Sequence, residues 1–404
     1  MGCGSGRGIC LFFVFFAFSV FAEVSPLGKK PDWRELDRYQ ECITREDFLA
    51  AINFFAPRGV SVSWISVRND GAAIARGDGR IYFLRFAANR ESRKVAPRYW
   101  RGRDERAVSS RHSAKPLRGV KIALDPGHIG GKWAHLEERW FRMGNSLPVT
   151  EGDMTLLVAK KLAKNLQRAG AQVVFVRSRP APSTWLRPWM LKSEARASLA
   201  ARGKPATSFA VKKEAEKLFY RTAEIRSRAK SVNSRLRPDF VVALHFNAEA
   251  WGNPVRPSLT GKRHCHFLVS GAWSADEVAK DDQRFEMLLK LLGGVTNEEI
   301  ALACSLAKSF AGATGLPPFT YTEGSAAKAT HNPFVWGRNL LANRLYLCPV
   351  VYAEPYVMNS FIDFARIQAG DYAGTRMVAG VPRKSIYAEY ADAAAEGIIE
   401  YYRR

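Results

Sequence analysis

The feature that most narrows the fold is the recurrence of short, almost wholly apolar runs, each separated from the next by helical periodicity. Residues 120–124, 173–176, 240–244 and 350–353 are runs of this kind, and 266–269 is a fifth candidate. A strand without polar alternation is buried on both faces, as inside a sheet covered by helices. Between the runs, residues 153–169 place Met154, Leu157, Val158, Leu162 and Leu166 on one helical face and stop at Gly170. Residues 298–312 and 387–402 read as further helices, and 187–234 as a long, basic, helix-prone stretch. The expectation is an α/β fold: a twisted, mostly parallel sheet flanked by helices, with a small N-terminal α+β accessory domain. Functional residues in such sheets collect just beyond strand ends.

Three strand ends carry unusual residues. The first run leads into Asp125-Pro126-Gly127-His128-Ile129-Gly130-Gly131, where the turn swings His128 out of the strand and the glycines clear space around it. Asp125 could orient the ring. The second ends in His245-Phe246-Asn247, and a His closing an apolar run has little reason to be there unless something binds it. The third ends in Ala353-Glu354-Pro355. A carboxylate closing a buried strand needs a counter-charge or a chemical task; Arg338 or Arg344 could supply a plain salt bridge. A fourth piece is Thr150-Glu151-Gly152-Asp153, with Thr150 and Asp153 spaced as a short capping box and Glu151 at the first helical position. Glu151 there either favours the helix dipole or points to the sheet end. Glu137 and Glu138 compete with it. Two His, one carboxylate and an open position describe a catalytic zinc site rather than a structural one. Glu354 would then move the proton in hydrolysis of a peptide or amide.

Taken together, Ala123-Leu124-Asp125-Pro126-Gly127-His128-x-Gly-Gly, the Glu151 helix, Leu244-His245-x-Asn247-Ala248 and Val351-x-x-Glu354 followed by Asn359 resemble the zinc-dependent N-acetylmuramoyl-L-alanine amidases of the amidase-3 family. The resemblance covers residues 117–404, with four motifs in the family's order. It implies cleavage of the amide between N-acetylmuramic acid and L-alanine of peptidoglycan. It implies Zn2+ held by His128, Glu151 and His245, and Glu354 as the catalytic glutamate. The chain departs from the family in an aromatic, charged insertion at 132–143, in a longer connector at 180–220, and in Ala353-Glu354-Pro355-Tyr356, where the family often has a small residue and Gly-Phe. A non-catalytic peptidoglycan-binding or activator protein on the same fold, and a zinc peptidase cutting another stem-peptide bond, are the alternatives.

The rest of the chain sets compartment and partners. Residues 1–22 have Arg7, then apolar residues 9–21, then Val20-Phe21-Ala22, the layout of a signal peptide. The run is too short to span a bilayer, and none in the body is longer, so no integral span is expected after cleavage. The predicted location is periplasmic or cell-envelope associated. The net charge of +23 favours polyanions. For an exported chain these are peptidoglycan and anionic cell-envelope polymers, not nucleic acid; oligomeric state has no sequence signal. Residues 23–92 read as the accessory unit: Thr44 caps a helix with Phe48, Leu49, Ile52 and Phe55, and strands follow at 60–67 and 80–86. Residues 93–116 read as an exposed basic linker. Cys42, Cys265, Cys304 and Cys348 remain after processing and permit either disulfides or isolated thiols. His264-Cys265-His266 looks metal-like, but strand alternation separates Cys265 from the two His, so a structural or surface role is expected. His331 is a candidate for the cleft wall.

Overall fold

The computed structural model describes residues 23–57, 59–105, 114–322 and 324–403. The signal peptide expected at 1–22 and the middle of the basic linker lie outside the described residues. Helix α1 (Arg45–Phe55) starts where Thr44 Oγ1 accepts the Asp47 amide at 3.2 Å. Strands β1 (Ile65–Val67), β2 (Gly71–Ala75) and β3 (Ile81–Arg85) form an antiparallel sheet. The strand expected at 60–67 exists only from Ile65, because the amides of Trp64 and Ile65 both turn back to the Ser61 carbonyl. β2 carries no strand signal in the sequence, because Gly71-Ala72-Ala73 has little strand propensity.

The main sheet contains β4 (Lys121–Pro126), β7 (Gln172–Phe175), β8 (Phe240–Leu244), β9 (Cys265–Val269), β10 (Ala327–Lys328), β11 (Val335–Gly337) and β12 (Val350–Pro355). The pair β5 (Trp140–Phe141) and β6 (Val149–Thr150) stands apart. The order is β10-β11-β9-β12-β8-β4-β7; β12, β8, β4 and β7 run parallel, and β9 lies antiparallel beside β12. The fold is α/β, with this mixed seven-stranded sheet between helical layers. Ile122, Leu124, Val242, Leu244, Val351 and Ala353 face one layer. It consists of α2 (Glu151–Arg168) and two helices introduced below, α8 and α11. Ala123, Val241, Ala243, Val350 and Tyr352 face the other, where Trp100, Ala229, Val232 and Tyr346 cover them. Both faces of the parallel strands are therefore apolar, which explains their lack of alternation.

Between β7 and β8 stand α3 (Lys192–Ala200), α4 (Ser208–Lys217) and α5 (Glu224–Lys230). Two π-helical segments, Leu218–Ala223 and Ser231–Leu236, make the run from α4 onward one continuous helical rod. Ile129, Leu191, Ala195, Leu199, Val211, Ala215 and Phe219 form a small core of their own here. After β9 come α6 (Ala275–Ala279), α7 (Asp281–Leu292) and α8 (Thr296–Thr314). Helix α9 (Leu341–Leu345) precedes β12. The chain closes with α10 (Phe361–Gln368), the hairpin β13 (Thr375–Val378) and β14 (Val381–Lys384), and α11 (Ile386–Arg403).

The N-terminal α+β unit has no core separate from the rest. Trp33, Phe48, Phe55 and Leu84 pack with Trp273, Phe285, Leu288 and Leu292, and the Phe55 and Trp273 rings sit 5.2 Å apart. Burying such side chains contributes roughly 1.5–3 kcal/mol each, so the unit is bonded to α7 by the same forces that hold a domain together. The linker is also docked in part: Trp100 is buried on the sheet, stacked by the Arg98 guanidinium at 3.9 Å. Among the described residues, Cys42, Cys265 and Cys348 are free thiols.

Candidate active site

Three adjacent parallel strands, β4, β8 and β12, end on the same edge and send groups to one face. After β4 the turn at Gly127 carries His128 with φ +59, a left-handed conformation disfavoured for a side chain with a Cβ. The loop is held in it by its surroundings. Arg228 Nη2 donates to the His128 carbonyl at 2.7 Å, and the Ile129 and Gly130 amides donate to the buried Glu137 carboxylate at 2.8 and 3.1 Å. Asp153 accepts the Gly131 amide at 2.9 Å. Asp153 is thereby taken from the capping box expected with Thr150, whose side chain makes no capping hydrogen bond.

Glu151 is the first residue of α2 and is buried. Its Oε2 lies 3.0 Å from His128 Nε2, and its Oε1 lies 3.0 Å from His245 Nδ1 and 3.2 Å from the Phe246 amide. The donor atoms of His128, Glu151 and His245 all lie within 4.8 Å of one another. The other two acids are occupied elsewhere. Glu137 is committed to the loop amides, 3.8 Å from His128 Nδ1, and the exposed Glu138 lies 3.9 Å from Lys213 Nζ. Two imidazoles and a carboxylate are donors suited to zinc. Buried Glu151, an anion facing two rings, fits a cation held by all three.

His245 is placed as tightly. Its ring stacks on Tyr352 at 5.3 Å, and its backbone amide donates to the Ala353 carbonyl at 3.0 Å. The Tyr390 hydroxyl of α11 lies 3.0 and 3.1 Å from the Ala353 and His245 carbonyls, tying the ends of β8 and β12 together. A Cβ on Gly127 would collide with the His245 ring. Gly127→Ala is therefore expected to push His245 aside, and would weaken the hold of the three residues on an added zinc ion by about 10–100-fold, measured by competition with a chromophoric chelator.

Glu354 lines the same cleft, about 800 Å³ in volume, together with His128, Glu151 and His245. Burial lifts its carboxyl to about 7; His245 pulls against the rise and Glu151 adds to it. Among the described residues no ion pair reaches it: Arg344 pairs with Glu286 at 2.8 Å, and Arg338 lies beside Tyr321. The salt bridge that sequence allowed for Glu354 is therefore not made. Burial also works to raise Glu151, but His128 and His245 outweigh it and hold that carboxyl well below the usual range. Burial opposes charge on His245, yet Glu354 and Glu151 keep its pKa raised.

The surroundings of the triad sort the remaining candidates, and Arg139 and Tyr220 join them without a signal of their own in the sequence. Asp125 does not orient the His128 ring: it bonds Arg228 at 2.8 Å and the Tyr346 hydroxyl at 2.6 Å. The 132–143 insertion supplies Glu137 and Arg139 to the cleft wall, and Arg139 Nε lies 3.5 Å from Glu151. The 180–220 connector supplies Tyr220. Asn359 holds the wall loop through the Glu249 amide and the Ser258 carbonyl, both at 3.0 Å. His266 pairs in register with Glu354 across β9 and β12. Burial depresses its pKa to about 3, and Asn247 and Tyr321 contact its two nitrogens at 3.4 and 3.0 Å. Cys265 points to the opposite face, into the main core. His331 is exposed and is not part of the cleft wall.

No family model matches the chain, and no curated protein sequence matches it. Three solved structures that resemble it are N-acetylmuramyl-L-alanine amidases. The apo form of Ami1 from Mycobacterium abscessus is 16% identical, covering 70% of this chain and 99% of that one, with a TM-score of 0.40. Ami1 from Mycobacterium smegmatis is 17% identical, covering 71% and 98%, with a TM-score of 0.39. AmiC2 of Nostoc punctiforme is 14% identical, covering 70% and 98%, with a TM-score of 0.38. At this level of likeness, any assignment of function rests on the site itself.

Proposed function

We propose that the protein is an exported, zinc-dependent amidase that hydrolyses the bond between N-acetylmuramic acid and L-alanine of peptidoglycan. The observation that carries this reading is the convergence of His128, Glu151 and His245 in a cleft that Glu354 also lines. The four-motif resemblance supports the choice of bond, and the charge of +23 suits an anionic envelope. Among the described residues no helix is long and apolar enough to cross a membrane.

His128, Glu151 and His245 would hold the zinc ion, which would supply Lewis acidity toward the scissile carbonyl and toward water. Glu354 takes the proton of the attacking water and returns it to the leaving nitrogen. Glu151 and the stacked Tyr352 keep the His245 ring in place, and Glu137 and Arg228 keep the His128 loop in its strained turn. A protein that only bound the polymer would have no use for a proton-accepting carboxylate poised near neutrality.

The pH dependence follows in sign. Glu354 must be ionised to accept a proton, and its carboxyl stands at about 7 without a cation; a bound cation pulls it lower. The expected kcat/KM is flat at alkaline pH and falls about tenfold per pH unit once pH drops below the Glu354 value, at or under 7. In Glu354→Gln that acid limb should vanish. Mass spectrometry of digested sacculi tests the bond: the expected products are stem peptides with a free N-terminal alanine and unshortened glycan. Products cut within the stem peptide would instead identify a zinc peptidase, and an unchanged polymer a binding protein.

A further inference from the structure

Large aromatic side chains left in water are uncommon, and here three occupy one helical insertion. Trp185, Trp189 and Phe209 are 74%, 65% and 72% exposed, and Met190 beside Trp189 is 41% exposed. They are not strays from an unfinished core, because α3 and α4 already bury Ala195, Leu199, Val211 and Ala215 between them. Several large exposed apolar side chains on one insertion, with Trp189 at the edge of a groove, point to an interaction face.

Charge and composition narrow what covers it. Residues 185–217 hold eight Lys and Arg against three Glu. Trp189, Lys192 and Arg196 face Ser208 and Lys212 across a groove of about 470 Å³. A second copy of so basic a chain would be repelled. A glycan is recognised through side-chain amides and carboxylates that bond its hydroxyls, as well as through stacking. Yet residues 173–232 contain no Asn, Asp or Gln, and the α4 carboxylates are taken, Glu214 by Arg202 at 2.7 Å and Glu216 by Lys213 at 3.3 Å. Indole and phenyl rings interleaved with Lys and Arg are instead the composition that settles at a bilayer interface, the rings at headgroup depth and the cations against phosphates. Leu27, a few residues after the apolar run 9–21, packs against the α3–α4 core.

We propose that the α3–α4 face, through Trp185, Trp189, Phe209, Lys192, Arg196 and Lys212, docks the protein on an anionic phospholipid surface. This binding is independent of the hydrolytic site. Hydrogen exchange of the full chain, read by mass spectrometry, tests it locally, whatever residues 1–22 contribute to overall attachment. With mixed phosphatidylcholine–phosphatidylglycerol vesicles, peptides covering 185–213 should exchange more slowly, whereas those around the equally exposed Val62 and Met377 should not. Vesicles of phosphatidylcholine alone should give little protection. The protection should be lost in Trp185→Ala/Trp189→Ala/Phe209→Ala and fall by about tenfold in Lys192→Glu/Arg196→Glu/Lys212→Glu. Unchanged exchange at 185–213 would overturn the proposal, as would protection by purified sacculi but not by vesicles, or full protection in the triple-alanine variant.

Discussion

Glu354→Gln is expected to slow peptidoglycan hydrolysis by about 10²–10⁴-fold, the usual contribution of a positioned proton acceptor, while zinc content stays at the wild-type level. Glutamine keeps the size of the side chain on β12 but cannot accept the proton. The parent carboxyl is held near neutrality by burial, so at pH 7 it can both take a proton and give it back. Glutamine should not destabilise the fold, because the parent group makes no ion pair among the described residues. Single-turnover kinetics with zinc analysis on the same sample checks both halves. Activity within a few fold of wild type would remove Glu354 from the mechanism, and loss of zinc would make it a ligand.

The second large effect is structural. Arg228→Met is expected to destabilise the protein by about 3–5 kcal/mol, the cost of leaving buried charges without their partner. Arg228 is buried between Asp125 and Glu224, donating to each at 2.8 Å, and it also holds the Pro126 and His128 carbonyls at 2.9 and 2.7 Å. Burial disfavours its charge, but Asp125 and Glu224 outweigh that and raise its pKa. Methionine matches the bulk and strands both carboxylates. Arg228→Lys should recover only part of the loss, since one ammonium cannot reproduce a guanidinium fork. Denaturant unfolding followed by tryptophan emission measures the difference, with the exposed Arg68→Met as a control expected to change stability by less than about 0.5 kcal/mol. A loss under about 1 kcal/mol in Arg228→Met would mean that Asp125 and Glu224 find other partners.

What could be read from the sequence follows a physical divide. β4, β8 and β12 were legible because strands covered on both sides lose their alternation, and a polar residue ending such a run stands out. Thus His128, His245 and Glu354 could be named before their positions were known. Glu151 was legible through its place at a helix start, although Glu137 and Glu138 competed with it. Only the fold separates them, by giving Glu137 two backbone amides to hold. Arg228 meets Glu224 at helical i,i+4 spacing, but it reaches Asp125 across 103 positions, and no local periodicity announces that second contact. The same holds for the N-terminal unit. Phe48, Ile52 and Phe55 reveal a helix with an apolar face, but not that Trp273 and α7 lie against it. Trp100 was hidden by the basic residues around it, which made a docked segment look like a solvated one.

Zinc-edge X-ray absorption on the purified full-length chain, with metal content measured in parallel, addresses the central claim most directly. The account predicts one tightly held zinc per chain with only nitrogen and oxygen neighbours at about 2.0–2.2 Å, and loss of that zinc in His245→Ala. Sulfur in the coordination sphere, or equal zinc occupancy in His245→Ala, would contradict it.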